Sequence, residues 1–433
     1  MFTIRDFLRS EVKPALGCTE PGAVALAVAR AKEEIGGSDV RSIHVTVSDS
    51  IYKNGVAVGI PGTSGLKGNA IAAALGALAG VSSYGLEVLR DCTENDAIRA
   101  KKMAADGTVR VTALPDRHGV YVETDVTTEN GTASCTIDGS HTSITKVTKN
   151  GVTTFEATSA TDASKPKAPA LSEQIAGMKY TALVRMVEDM DQEDVDYVMN
   201  GVDMNLAIAE YGFDDHHRSG LEIGKTIRNA GGLETGDLGI KIKAFSAAAA
   251  DARMSGAPMP VMSSAGSGNH GVTAILPVAI LGRENGKSRE EIAKAVAFSH
   301  LSTSFIKSRT GRLSPICGCT VAAGAGAAAG MTWLLTGDVR RAVKAMSIVL
   351  ANLVGMLCDG AKDTCALKVG TGAMEAYHAT LLAMNDRDLD PQGVVDETIE
   401  ATVQNVADIS FKAMKDVDGT VIGMVSRRME KAQ

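Results

Sequence analysis

At 433 residues the chain is longer than one hydrophobic core usually organises, so two domains, or one domain carrying a large insertion, are expected. Its 45% hydrophobic and 22% charged residues give a globular balance, and with aromatics at 4% the packing falls to Ala, Val, Ile, Leu and Met. A formal charge of -7, with no basic run and no interleaving of aromatic with basic residues, excludes a nucleic-acid surface.

Charges from Arg5 and Asp6 onward break any apolar N-terminal run, so no secretory signal is read and a cytoplasmic location is expected. Apolar spacing from Ile4 to Ile35 is helical but interrupted at Pro14 and around 17–22, which predicts two helices joined by a turn, with Pro21 opening the second. Alternation predicts strands at 42–47, 108–112, 120–124 and 133–137, with a helix over 70–79 between them. The stretch 158–170, rich in Ser, Thr, Lys, Ala and Pro, reads as a linker. Helical periodicity then recurs at 172–188, 192–211, 240–254, 288–307, 339–357 and 394–406, without a strand. The apolar runs 321–335 and 345–357 fall short of the ~20 residues that cross a bilayer and read as core helices. The expected class is therefore α+β: a large, mostly helical domain (171–433) carrying the clustered cysteines, a smaller α+β domain (41–157), and N-terminal helices (1–40) packing on the helical domain.

Seven cysteines in a reducing compartment are more readily ligands, nucleophiles or core residues than disulfides. Four crowd into 49 positions: Cys317 and Cys319 in Ser314-Pro315-Ile316-Cys317-Gly318-Cys319, then Cys358 and, seven residues on, Cys365. Both sets sit at glycine-containing breaks between apolar helices, where soft thiolates suit an iron-sulfur cluster or zinc. The spacing is not that of a zinc ribbon, whose cysteines are closely paired in both halves. Small core residues in an Ala- and Gly-rich bundle are the evenly weighted alternative.

Cys18 stands just before a predicted helix start, where amides and dipole favour a thiolate able to act as base or nucleophile. A buried turn cysteine is the plainer reading. The small-residue run 263–271 exposes amides and hydroxyls suited to a carboxylate or phosphate, and 60–69 has the same character and is expected to face the same cleft. Lys307 offers a cation ahead of the cysteines, although solvated helix-end charges are its ordinary explanation. The glycines of 324–330 lack the preceding strand of a dinucleotide loop and point to close helix packing. Asp214 to His217 reads as a polar helix start, not a hard-metal site. Cys92, Cys135, His118 and His141 are assigned to structure.

Taken in order, Gly17-Cys18-Thr19-Glu20-Pro21, Gly59-Ile60-Pro61-Gly62-Thr63, Gly266-Ser267-Gly268-Asn269, Ile316-Cys317-Gly318-Cys319 and Asn352-Leu353-Val354-Gly355-Met356-Leu357-Cys358-Asp359-Gly360 resemble the L-cysteine desulfidase family. That family is a relative of the iron-sulfur L-serine dehydratases, and the resemblance spans nearly the whole chain. It implies a 4Fe-4S cluster on three cysteines with one open iron, mapping onto Cys317, Cys358 and Cys365, with Cys319 as the alternative first ligand. It implies Cys18 as proton acceptor in the β-elimination of L-cysteine to sulfide, ammonia and pyruvate, a carbon-sulfur lyase reaction. By analogy, Ser264, Gly266, Ser267, Asn269 and Lys307 hold the substrate carboxylate. Serine dehydratases of this type have a longer interval between their last two ligands and commonly end in a cysteine, whereas this chain ends Met429-Glu430-Lys431-Ala432-Gln433, which favours the desulfidase side. Serine dehydration on the same cluster, a pyridoxal-phosphate lyase and a non-catalytic redox or iron-sensing module are the competing readings. The expected partner is a small amino acid, with no nucleic acid and no membrane; a homo-oligomer stays open.

Overall fold

In the computed structural model, residues 2–63, 65–114, 117, 119–157, 170–385 and 387–430 are described. The chain opens with α1 (Ile4–Glu11), whose N-terminus is closed by a reciprocal Thr3–Asp6 capping box. Then come β1 (Pro14–Leu16), α2 (Thr19–Ile35), β2 (Val40–Ser48), α3 (Asp49–Gly55), α4 (Asn69–Ala79), α5 (Glu94–Ala105), β3 (Val109–Leu114), β4 (Tyr121–Thr128), β5 (Gly131–Asp138), β6 (Ile144–Lys149) and β7 (Val152–Glu156). The remainder is α6 (Leu171–Gly177), α7 (Tyr180–Glu188), α8 (Gln192–Phe213), α9 (Ile223–Asn229), α10 (Leu238–Met254), β8 (Pro260–Met262), α11 (Gly268–Glu284), α12 (Arg289–Thr310), α13 (Ala322–Thr336), α14 (Val339–Leu353), α15 (Cys365–Ala383), α16 (Ile399–Asp408) and α17 (Val417–Glu430). The arrangement is α+β and mostly helical, with two small sheets.

Six strands form one sheet in the order β3-β2-β4-β5-β6-β7; β2 and β3 run parallel and every other pair antiparallel. Period-two alternation buries Ile43, Val45 and Val47 of β2 with Val122 and Val126 of β4 and Ala133, Cys135 and Ile137 of β5. Helices α2 and α4 share this core through Val24, Val28, Ile71 and Leu75. The two N-terminal helices part company: α2 lies against the sheet, while Ile4, Phe7 and Leu8 of α1 enter the larger core built by α7, α8 and α10 to α16. β6 and β7 carried no readable alternation, since β7 is exposed along its whole length.

The second sheet corrects the expectation of a strand-free C-terminal half. β8 pairs antiparallel with β1, Ala15 opposite Val261, and three residues are too few to show a period. The helix expected over 172–188 is two, broken at Met178, whose backbone is extended. The one expected over 339–357 stops at Leu353, because the next residues turn to pair with the first cysteine loop. Of the expected linker, 158–170, all but Ala170 lies outside the described residues, as do Ser64 and His118. Among the described residues no helix is long and apolar enough to cross a membrane.

Candidate active site

The two cysteine loops are clipped together by backbone. Ile316 and Leu357 form an isolated antiparallel bridge, the Cys317 N–H donates to the Met356 carbonyl at 2.8 Å, and the Cys358 N–H donates to Pro315 at 2.6 Å. Cys365 is the first residue of α15, and its thiol faces the Gly360 carbonyl at 3.5 Å. Gly360 holds a φ of +96°, and a Cβ there would stand 2.6 Å from the Lys53 carbonyl, so the loop presses onto α3 as only glycine allows. Cys18, Val58 and Met254 form a small buried cluster with Ala361 and Cys365 against it, which brings the N-terminal thiol to the second cysteine loop.

These residues line one cleft between the sheet unit and the helical body. Its walls carry Cys18 and Glu20, Lys53 and Asn54 of α3, His141 of the β5–β6 turn, Arg253 of α10, Gly266, Ser267, Asn269 and His270, Lys307 of α12, and Cys317, Cys319, Cys358, Cys365 and Lys368. Of the sequence-derived candidates, Cys18, Gly266, Ser267, Asn269, Lys307 and the three proposed ligands are brought together. Ser264 is fully buried behind the wall, its carbonyl accepting from His270 Nδ1 at 3.2 Å and its hydroxyl 2.9 Å from His300 Nδ1. The 263–271 run is a tight turn followed at once by α11: Ser264 and Ser267 exchange backbone hydrogen bonds around Ala265 and Gly266, both at positive φ, and Asn269 and His270 belong to the first helical turn. The 60–69 loop faces elsewhere: Gly62, Gly65 and Lys67 line a neighbouring cleft with His216, His217 and Arg218, and Lys67 pairs with Asp363 at 2.9 Å.

Cys18 is the N-cap of α2, and its surroundings oppose the helix-favoured thiolate expected there. Burial pushes its thiol well above the ordinary cysteine value, and the Glu20 charge pushes the same way; Arg253 opposes both but loses. The thiol donates to Glu20 Oε2 at 2.9 Å. Burial also opposes ionisation of Glu20, but the His141 ring and hydrogen bonds from Cys18 and Asn54 outweigh it and hold the carboxyl below its usual range. At the other wall Cys317 is pulled down to about 6, chiefly by the hydrogen bond from Cys319, against the cost of burial, with Thr320 and Lys368 helping. Cys319, as the donor of that bond, is held protonated, and burial lifts Cys365 to about 12.

Sequence reading missed Arg253, Lys53, Lys368 and His270, which complete the cleft beside Lys307. Arg253 is 2% exposed, donates to Gly17 O at 2.6 Å and to Asn269 Oδ1 at 3.0 Å, and leaves Nε without a partner; no acidic side chain among the described residues pairs with it. Burial lowers Lys307 to about 8, partly offset by the facing thiols. Burial and the Lys307 charge lower His270 to about 3, so its ring is neutral. Because a carbonyl can only accept, Nδ1 carries the proton toward Ser264 and Nε2 is left as an acceptor toward Gly318. A Cβ on Gly318 would stand 2.3 Å from that nitrogen, which explains the glycine between the two cysteines. Arg253 had no local signal, being one cation at the end of an alanine-rich helix; Glu20 lay in plain view two residues after Cys18.

Its relatives place the chain among serine-dehydratase-like enzymes of amino-acid catabolism. The chain belongs to the serine dehydratase alpha chain family, whose pattern matches residues 83–423. It is 44% identical over 431 residues to a UPF0597 protein of Kosmotoga olearia, covering 99% of both chains. It is 39% identical over 435 residues to a UPF0597 protein of Desulforapulum autotrophicum, covering 99% of this chain and 98% of that one. A UPF0597 protein of Clostridioides difficile is 39% identical over 426 residues, covering 97% and 98%.

Proposed function

We propose that the protein is an iron-sulfur-dependent lyase that β-eliminates L-cysteine to sulfide, ammonia and pyruvate. The observation that carries this reading is the meeting in a single cleft of Cys18, three thiols from two distant loops, and a buried arginine with no acidic partner among the described residues. The donor set fits a 4Fe-4S cluster: Cys317, Cys358 and Cys365 offer soft sulfur, and Lys307 and Lys368 offset its negative charge. Among the described residues no three His, Cys, Asp or Glu side chains are disposed to hold a metal ion. A cluster is a larger body than one ion and takes its sulfurs at wider separation. When bound it supplies an open iron, a Lewis acid toward the β-thiol of the substrate.

The chain's own residues bind and orient. The substrate carboxylate takes the unpartnered Nε of Arg253, with Lys307 and Ser267 of the small-residue turn beside it. The accepting Nε2 of His270 suits the α-ammonium. Cys18 receives the α-proton, and the aminoacrylate released hydrolyses in water to pyruvate and ammonia.

The family match favours one second reading, L-serine dehydration in the same cleft. The seven-residue step from Cys358 to Cys365, shorter than the interval in the dehydratases it resembles, supports cysteine. Anaerobic cluster reconstitution followed by pyruvate measurement from both amino acids decides. We expect kcat/KM for cysteine to exceed that for serine by about 100-fold, the size of discrimination one reacting group provides. A preference for serine selects the dehydratase, and turnover that depends on added pyridoxal phosphate removes both.

A further inference from the structure

If Cys18 receives the α-proton, its own proton must leave, and the structure shows where that proton points. The thiol is 6% exposed and donates to Glu20 Oε2 at 2.9 Å, with no water path needed. Glu20 is equally buried, and its carboxylate is fixed from three sides: by Cys18, by the Thr19 hydroxyl at 3.0 Å, and on Oε1 by Asn54 Nδ2 of α3 at 2.9 Å. The charged and titratable groups facing this pair are His141 from the β5–β6 turn, Arg253 from α10, Cys365 from α15 packed against the Cys18 cluster and, beyond His141, Arg312. His141 has an unpartnered Nε2 and is itself buried. No lysine or arginine pairs with Glu20 among the described residues, so its charge is held by these hydrogen bonds and by the His141 ring, and stays available to a proton.

We propose that Glu20 is the positioning residue of this reaction, accepting the thiol proton of Cys18 as Cys18 accepts the α-proton of the substrate. The inference rests on the function proposed above. In the step, the Cα–H electron pair becomes the Cα=Cβ bond, and the Cβ–S pair departs with sulfur as hydrosulfide. The α-proton binds Cys18 Sγ, and the former thiol proton binds Glu20 Oε2. Cys18 ends the step as the thiol it began as, while Glu20 ends as a carboxylic acid and returns its proton to hydrosulfide or solvent. One proton and one leaving group are thereby accounted for, with no added oxidant or reductant.

The test is Glu20→Gln, which keeps shape and removes the proton acceptor, in the full-length reconstituted enzyme. We expect kcat to fall about 100-fold or more, as loss of general-base assistance does, with KM within about threefold and the cluster absorbance intact. Peptide-resolved alkylation of Cys18 by iodoacetamide at pH 7 is the second readout: removal of the neighbouring negative charge makes that thiol react faster even as turnover slows, a pairing that mere structural damage does not produce. Glu20→Asp retains the charge one methylene short, so it keeps Cys18 slow to alkylate while losing part of kcat, and it stands in should the Gln variant fail to fold. Unchanged kcat in Glu20→Gln, or an unchanged or slower alkylation rate, overturns the proposal. A wild-type enzyme that turns over neither amino acid instead sinks the functional reading, and the alkylation arm then still decides whether Glu20 governs Cys18.

Discussion

The two ends of the cleft hold the same side chain under opposite control. Cys317 receives a hydrogen bond from Cys319 and lies near Lys368, so its sulfur is pulled toward thiolate at about pH 6. Cys18 gives its hydrogen bond away to a carboxylate and sits in a dry cluster with Val58 and Met254, so its thiol is locked. The lesson is that a helix N-terminus does not by itself make a cysteine acidic; burial and one adjacent negative charge outweigh the dipole, whose effect is of order 1 kcal/mol. A thiol poised to ligate and a thiol poised to pass a proton need these two environments.

Removing one sulfur from each end separates the roles most sharply. Cys358→Ala should abolish the visible absorbance and acid-labile sulfide of the reconstituted enzyme together with all turnover, whereas Cys18→Ala should keep the absorbance and lose about 10³-fold in kcat. Equal loss of the cluster in both would make Cys18 a ligand and erase the contrast. Next in size is Arg253→Met, measured by steady-state kinetics. Loss of a charge-assisted hydrogen bond worth roughly 1.5–3 kcal/mol raises KM about 10- to 100-fold, with Arg253→Lys intermediate. A fall in kcat at constant KM would place Arg253 away from the carboxylate. The smallest effect is a shift along the pH axis. Before any cluster is assembled, alkylation of Cys317 should reach half its maximal rate near pH 6, and Cys18 should remain slow through pH 9. The sign follows from the shifts: a lowered thiol pKa places reactivity at lower pH, a raised one delays it.

Much of the local structure was legible in the chain. The alternation of β2, β4 and β5 read directly because each strand buries one face and the pattern records it, while α10 and α12, buried nearly all round, read from their length and apolar content. β1, β8 and β7 did not, two being three residues long and the third exposed throughout. At the site, residues in unusual local strings were visible: Cys18, the Gly266–Ser267 turn and the four clustered cysteines. Ser264 belonged to such a string but supports His270 and His300 from behind the wall. Nothing near Arg253 or Lys53 in sequence distinguishes it from an ordinary helical cation, and His270, though inside the 263–271 run, carried no signal of its own.

By itself the sequence determined which residues were chemically able to act, since thiols, amide-rich turns and element periods are properties of a few neighbouring positions. Only the tertiary structure decided their protonation and partners. Desolvation and Coulomb interactions depend on what other segments bring within a few ångströms, and here α2, α3, α10 and two distant loops each bring one part.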